Sequence, residues 1–289
     1  MVRHGFVALV LAGVVASSAY AQEPMPEGWA VGPSIGRLGD LATVSVPEGY
    51  MFLDAKATRK FLEDGQNVPA GDELGAVLRK LPDKDYWFAV FSYDDTGHID
   101  DAEKDSIDAD ALLATLKEGS RRGNEERRKR GWDTLELEGW HQPPFYDLAT
   151  NNLTWSTSIV SDGSKAINHS VRLLGRTGTM SVQLVAGSAS VNTATLEFNN
   201  VLNGYSYNSG KRYAEFQKGD KLAGYGLTAL IAGGVGAAAV KTGLLQKLWK
   251  GIILLLVAAF AAVKRFIAAL FGKKEKTLTE QYMSEPSSN

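Results

Sequence analysis

Apolar and polar residues alternate with a period of two in several separate stretches of this chain, the spacing of strands with one covered face. Leu41–Val46 reads LATVSV; Pro47, Glu48 and Gly49 then supply a turn, after which Tyr50–Leu53 is expected to continue a hairpin. Met180, Val182, Leu184 and Ala186 alternate with polar neighbours, and Thr179–Ala186 is expected to pair with Ile167–Leu174 across Gly175, Arg176, Thr177 and Gly178. Leu153, Trp155, Thr157 and Ile159 fall on one face of a further strand. Asp85–Tyr93, DYWFAVFSY, is instead a continuous aromatic and β-branched run, which reads as a buried strand.

Helical spacing appears between these stretches. Asp54 stands where an N-cap is needed for a helix over Ala55–Glu63, which ends before Gly65. Asp108 caps a longer helix through about Arg130, with Leu112, Leu113 and Leu116 as its apolar stripe. Asp108 and Asp110 sit at its start and Arg127, Arg128, Lys129 and Arg130 at its end, the order that the helix dipole favours. A third helix is expected over Ser190–Leu202, followed by Tyr205 and Tyr207. Blocks of strands and blocks of helices without regular alternation predict an α+β fold, an antiparallel sheet with helices packed on one face.

The two ends change this picture. The chain opens with a short basic start, an apolar run over Phe6–Ala16 and the small-residue site Ala19-Tyr20-Ala21, the pattern of a secretory signal peptide cleaved before Gln22. Leu222–Val240 is uncharged for nineteen residues, long enough to cross a bilayer, and Thr228, Ala232 and Gly236 recur every fourth position, as do Ala229, Gly233 and Ala237. That spacing lets two helices approach closely in lipid, so Thr228, Ala232, Gly233, Gly236 and Ala237 are candidate packing positions. A second segment over 251–271 contains the apolar run Gly251–Val263, with Lys247, Lys250, Lys264 and Arg265 at its flanks. A C-terminal transmembrane helical hairpin follows; a single span is the alternative, because the hairpin returns Lys273, Lys274 and Lys276 to the outside.

The organisation expected is therefore a signal peptide over 1–21, a linker over 22–40, an extracytoplasmic α+β domain over 41–210, a linker over 211–221, a membrane segment over 222–271 and a disordered tail over 272–289. Net charge is −2, yet residues 22–210 sum to −10 and residues 211–276 to +9. An acidic domain argues against nucleic acid as its partner, and the basic C-terminal part suits a lipid surface. The expected location is the cytoplasmic membrane with the main domain on the periplasmic side. Its partners would be the bilayer together with an envelope protein or a second copy of the chain. Cysteine is absent, which removes disulfides, thiolate nucleophiles and cysteine-ligated metals.

Candidate chemistry is sparse. Residues 92–103, SYDDTGHIDDAE, place Gly97 at the sixth and Glu103 at the twelfth position of a calcium-binding loop, but Ser92 stands where the first Asp belongs and a strand precedes the loop. Asp94, Asp100 and Glu103 are the weak metal candidates, and Asp94, Asp95, Asp100 and Asp101 form a candidate interaction surface. His98, His141 and His169 lack paired zinc spacings. A triad of Ser170, His169 and Asp147 has no nucleophile elbow behind it. No catalytic residue and no cofactor is expected. The leading reading is a binding or scaffolding module; a hydrolase-like enzyme using His141 and His169, or a calcium-responsive sensor through the 92–103 loop, are the alternatives.

The strings YDDTGHIDD, IDADALL, NEERRKRGW, GWHQPPFYD, NNLTWS, INHSVRLLGRTGTMSVQLVA and RYAEFQKGDKLAGYGLTALIAGG together resemble an uncharacterised bacterial membrane-anchored family, domain of unknown function 2167, over about Leu41 to Leu245. The resemblance implies an envelope protein anchored in the membrane and brings no catalytic residues with it.

Overall fold

The computed structural model describes residues 25–65, 67, 69–80 and 86–232. The signal peptide, the 251–271 segment, the tail, Gly233, Gly236 and Ala237 lie outside them. Eight antiparallel strands form the main sheet: β1 (Trp29–Val31), β4 (Tyr50–Asp54), β5 (Glu73–Arg79), β6 (Trp87–Asp94), β10 (Thr179–Gly187), β9 (Ser164–Leu174), β8 (Asn152–Ser161) and β7 (Glu136–Asp147), in that spatial order. A second sheet has the order β11 (Tyr205–Tyr207), β3 (Ala42–Val46), β2 (Ser34–Leu38). Four α-helices complete the described fold: α1 (Ala55–Asp64), α2 (Ala109–Lys129), α3 (Val191–Asn203) and the short α4 (Leu227–Ile231). An antiparallel α+β architecture is thus what the chain adopts.

Register follows from which strands are covered on both faces. In β3, Ala42, Val44 and Val46 are buried while Thr43 and Ser45 are not, so one face suffices; in β4, Met51, Phe52 and Leu53 are all buried, which requires cover on both sides. The two therefore belong to different sheets, and the expected β3–β4 hairpin does not form: β3 pairs with β2 and β11, and β4 with β1 and β5. Strands β1 and β2 fall within residues 22–40, the stretch expected to be a linker, because β3 and β4 each need a neighbour on that side. The β9–β10 hairpin forms as expected, with Val182 opposite Val171 and Leu184 opposite His169.

Helices cover both faces of the main sheet rather than one. On the first face α3 and the small sheet enclose a core of Val44, Val46, Trp87, Phe91, Val171, Met180, Val182, Phe198 and Val201. On the second face α1 packs Phe61 and Leu62 against Met51, Leu78, Phe88 and Val185. Further along that face, Leu112 of α2 and Leu227, Leu230 and Ile231 of α4 meet Leu153, Trp155 and Leu174. Phe88 and Phe91 explain the need: adjacent buried residues on β6 point to opposite sides, and each side must be covered. The caps sit where the sequence places them, with Asp54 Oδ1 accepting from Ala57 N at 2.8 Å and Asp108 Oδ1 accepting from Asp110 N and Ala111 N. The basic run of α2 is largely an exposed face, with Arg121 and Arg122 paired to Glu118 and Arg130 to Glu126.

The acidic loop after β6 holds the chain that leads towards the C-terminus. His98 N donates to Lys221 O at 2.8 Å and Ala223 N to His98 O at 2.8 Å, while the imidazole lies between the rings of Tyr213 and Phe216 at 4.5 and 4.1 Å. Lys221 Nζ donates to Asp95 O, Tyr225 Oη to Asp94 Oδ2, and Thr228 N to Glu103 Oε2. Arg176 closes the strap with a bidentate contact to Asp220 at 2.7 and 2.8 Å. Residues 211–221 are therefore a docked strap rather than a free linker.

Docking of the strap also places the first residues of the 222–240 candidate span against the domain. Leu222 and Ala223 run beside His98, and Leu227, Leu230, Ile231 and Ala232 are buried against the domain. Among the described residues no helix is long and apolar enough to cross a membrane. Of the candidate packing positions, Ala232 is buried beside Ile231 and Thr228 N donates to Glu103 Oε2.

Gly97 is a point of close backbone approach in the strap contact. Its φ is +105°, and a β-carbon there would stand 2.6 Å from the Leu222 carbonyl carbon and 2.8 Å from Ala223 N. Gly97→Ala is expected to detach the strap. Trypsin should then cut after Lys218 and Lys221 at least ten times faster than in the wild type, a shift of about 1.4 kcal/mol or more in local opening. Unchanged cleavage at those two lysines would show that the strap is not held there.

Candidate functional site

Beside α3, a cleft of about 810 Å³ lies between β7, β8, β9, α3, β11 and the start of the strap. Its floor comes from the sheet. On β8 the residues facing away from α2, namely Thr154, Ser156 and Ser158, are polar, whereas Leu153, Trp155 and Ile159 on the other side are in the α2 and α4 cores. The hydroxylated side is buried as well, with Ser156 Oγ bonded to His169 Nδ1, so β8 has its apolar packing on the α2 and α4 side alone.

The walls follow from helix periodicity. Val191, Ala194, Phe198 and Val201 bury one stripe of α3 in the core. Thr195, Asn199 and Asn203 lie four residues apart on the adjoining stripe and line the cleft as a polar ladder with steps of about 6 Å. Gln142 and Phe145 of β7 stand opposite, Asn152 and Thr154 lie on the floor, and Arg212 and Tyr213 of the strap close one end. The side-chain amides of Gln142, Asn152, Asn199 and Asn203 make no hydrogen bond to other described residues. Asp147 and Arg212 are the charged side chains of the lining, one of each sign. Asp147 accepts from Thr150 Oγ1 and Ala149 N, and the Thr150 hydroxyl, more than the backbone, holds its carboxyl below the usual range.

His169 sits at the cleft floor. It is 5 % exposed, its Nδ1 is 2.7 Å from Ser156 Oγ on the neighbouring strand, and its ring meets Phe198 edge to face at 5.9 Å. Burial, with a smaller contribution from His141, pushes the imidazole down to about 4, so it is neutral at ordinary pH. Ser156 is itself buried, and among the described residues no carboxylate is hydrogen-bonded to the imidazole, so the pair lacks the orienting third group of a hydrolytic triad.

The other sequence candidates are dispersed. Ser170 is next to His169 on β9 and so faces the opposite side of the sheet, where its hydroxyl donates to Gln183 Oε1 at 2.8 Å. Ser170, His169 and Asp147 are therefore not a triad. His98 is stacked in the strap, away from the other two, and His141 is exposed on β7, near enough for its charge to act on the His169 imidazole. In the acidic loop Asp100 caps Ala102 N, Asp101 lies 3.8 Å from Lys104, and Asp94 and Glu103 bond the strap and α4. Those carboxylates serve contacts within the chain, and among the described residues no three His, Asp or Glu side chains converge on a metal position.

The cleft amides were not singled out by sequence. Gln142 precedes Pro143 and Pro144, which mask the strand character of β7; Pro is tolerated there because β7 is the last strand of the sheet and its pairing with β8 shifts register at Gln142. The usable signal was the polar stripe of α3 beside its apolar one.

These features define a class of protein, an antiparallel α+β domain with an open, mostly uncharged polar cleft and a docked C-terminal strap. The family model described as protein of unknown function DUF2167 matches residues 32–264, and the chain belongs to that family. The match begins before Leu41 and so includes all of β2. Among solved structures, the chain is similar to cyanobacterial PsbP (CyanoP) from Synechocystis sp. PCC 6803, at 14% identity over 64% of this chain and 100% of that one, with a TM-score of 0.36. It is also similar to the Saccharomyces cerevisiae Ran-binding protein Mog1p, at 11% identity over 61% of this chain and 93% of that one, with a TM-score of 0.31. A search of curated proteins found no match.

Proposed function

We propose that this protein is an exported envelope protein, tied to the cytoplasmic membrane by the chain beyond Ala232, whose folded domain binds a ligand in the cleft on the periplasmic side. The observation that carries the binding reading is the set of four side-chain amides that face one cleft and are not used within the fold. Amides kept unpaired in a concave site are groups available to a ligand. Export rests on the signal-like start, and the anchor on Gly251–Val263, whose flanking Lys247, Lys250, Lys264 and Arg265 reach towards the headgroups. With residues 222–232 occupied by the domain, one crossing replaces the hairpin.

A single crossing puts a reporter at Thr242 on the outside and one at Ser288 in the cytoplasm; a cytoplasmic Thr242 reporter would sink this topology. Binding is tested in the naturally cysteine-free chain by Asn203→Cys, labelled with a membrane-impermeant maleimide on spheroplasts. Labelling is expected in intact spheroplasts, and envelope extract should slow it while cytosolic extract should not. Equal rates with both extracts would count against a cleft that binds envelope material.

A further inference from the structure

We infer that the cleft takes a neutral, hydroxyl-rich ligand, an oligosaccharide chain. The inference rests on the binding reading above and names its ligand class. Each unspent amide carries donor and acceptor side by side, as Gln142, Asn152, Asn199 and Asn203 do here, and neighbouring sugar hydroxyls ask for that same pairing. The neutral His169 on the floor has Nδ1 engaged by Ser156, which leaves Nε2 as one more uncharged polar atom. The Thr195, Asn199, Asn203 ladder repeats at about 6 Å, close to the rise per residue of an extended pyranose chain. Phe145 is 44 % exposed at the rim and offers a ring face for the C–H side of a sugar.

Charge and edge chemistry exclude the competing ligands. An ionised ligand needs matching charge, and Asp147 with Arg212 sums to zero. A peptide is commonly held by strand addition at a sheet edge, but of the two edges at the cleft β7 carries Pro143 and Pro144, which lack N–H donors, with its register broken, and β11 is only three residues long.

The experiment titrates the full-length protein in detergent with chitotetraose and maltotetraose, and in parallel with tetra-alanine amide and polyglutamate, by calorimetry and by protection of Asn203→Cys from maleimide. At least one oligosaccharide is expected to bind, and Asn199→Ala combined with Asn152→Ala should weaken it at least tenfold without changing the melting temperature, since Asn199 is exposed and neither amide is bonded. Oligosaccharide binding that ignores those substitutions would overturn the assignment of the cleft. Protection by tetra-alanine amide or polyglutamate alone would overturn the ligand class and leave the binding reading standing. If no probe protects the label and envelope extract does not either, both readings fail.

Discussion

Taking the wild-type domain from about pH 7.5 to about pH 4 should cost roughly 3 kcal/mol more stability than the same change costs a His169→Gln variant. The imidazole is held down to about 4 in the folded chain by burial first and by His141 second, whereas in the unfolded chain it titrates near 6.5. Between those two values the unfolded state binds a proton that the folded state refuses, so stability falls as pH falls. Above the unfolded value the contribution is fully present; below the folded value it is lost. Glutamine keeps a polar partner for Ser156 Oγ and has no titration in this window. Urea unfolding midpoints across the range would measure it, and parallel pH profiles for the two proteins would show that His169 is not the buried neutral group described.

Phe198→Ala is expected to have the larger structural effect, about 3–5 kcal/mol of lost stability. The ring is 0 % exposed, meets Trp87 edge to face at 6.2 Å and His169 at 5.9 Å, and is the central anchor of α3 on the sheet. Glu197, one residue earlier, accepts from Trp87 Nε1 at 2.7 Å, so that hydrogen bond keeps α3 near its position when the ring is removed. The cavity is then only partly filled by relaxation, which is why the cost exceeds simple transfer of the ring to water. A second readout is specific to the cleft: with water admitted beside it, the His169 imidazole should titrate higher, towards its ordinary value. A stability loss below about 1 kcal/mol, with His169 unmoved, would mean that α3 is not anchored through this residue.

Local patterns made much of the fold legible. Alternation in Thr179–Gly187 found β10, and the aromatic run found β6, because period-two spacing and β-branched bulk reflect how a strand is covered. Asp54 and Asp108 found two helix starts, because capping depends on residues within one turn. Strand β5, with the sequence ELGAVLR, was missed, since Gly75 and the short apolar run look like a connection until β4 and β6 are seen on either side. β7 was missed for its prolines, which only an edge position makes tolerable.

The acidic loop shows the same division. Its sequence is enough to disfavour a calcium site, with Ser92 in the first position and a strand before it. That Asp94 and Glu103 instead receive hydrogen bonds from Tyr225 and Thr228 depends on residues about 125 or more positions away. Likewise Leu222–Val240 has the length and small-residue spacing of a membrane helix, and its first half becomes part of the domain's core only because the domain provides an apolar surface for Leu227, Leu230 and Ile231.

What the sequence by itself determined is the set of elements whose cause is local: strand alternation, caps, helical stripes and the absence of thiol chemistry. Tertiary structure alone decided the cleft and the strap. Gln142, Asn152, Asn199 and Asn203 come from β7, β8 and α3, and nothing in the spacing of those residues along the chain records that the three elements meet around one cleft. Such sites are built from long-range contacts, whose partners are chosen by the packing of both faces of the main sheet rather than by neighbouring residues.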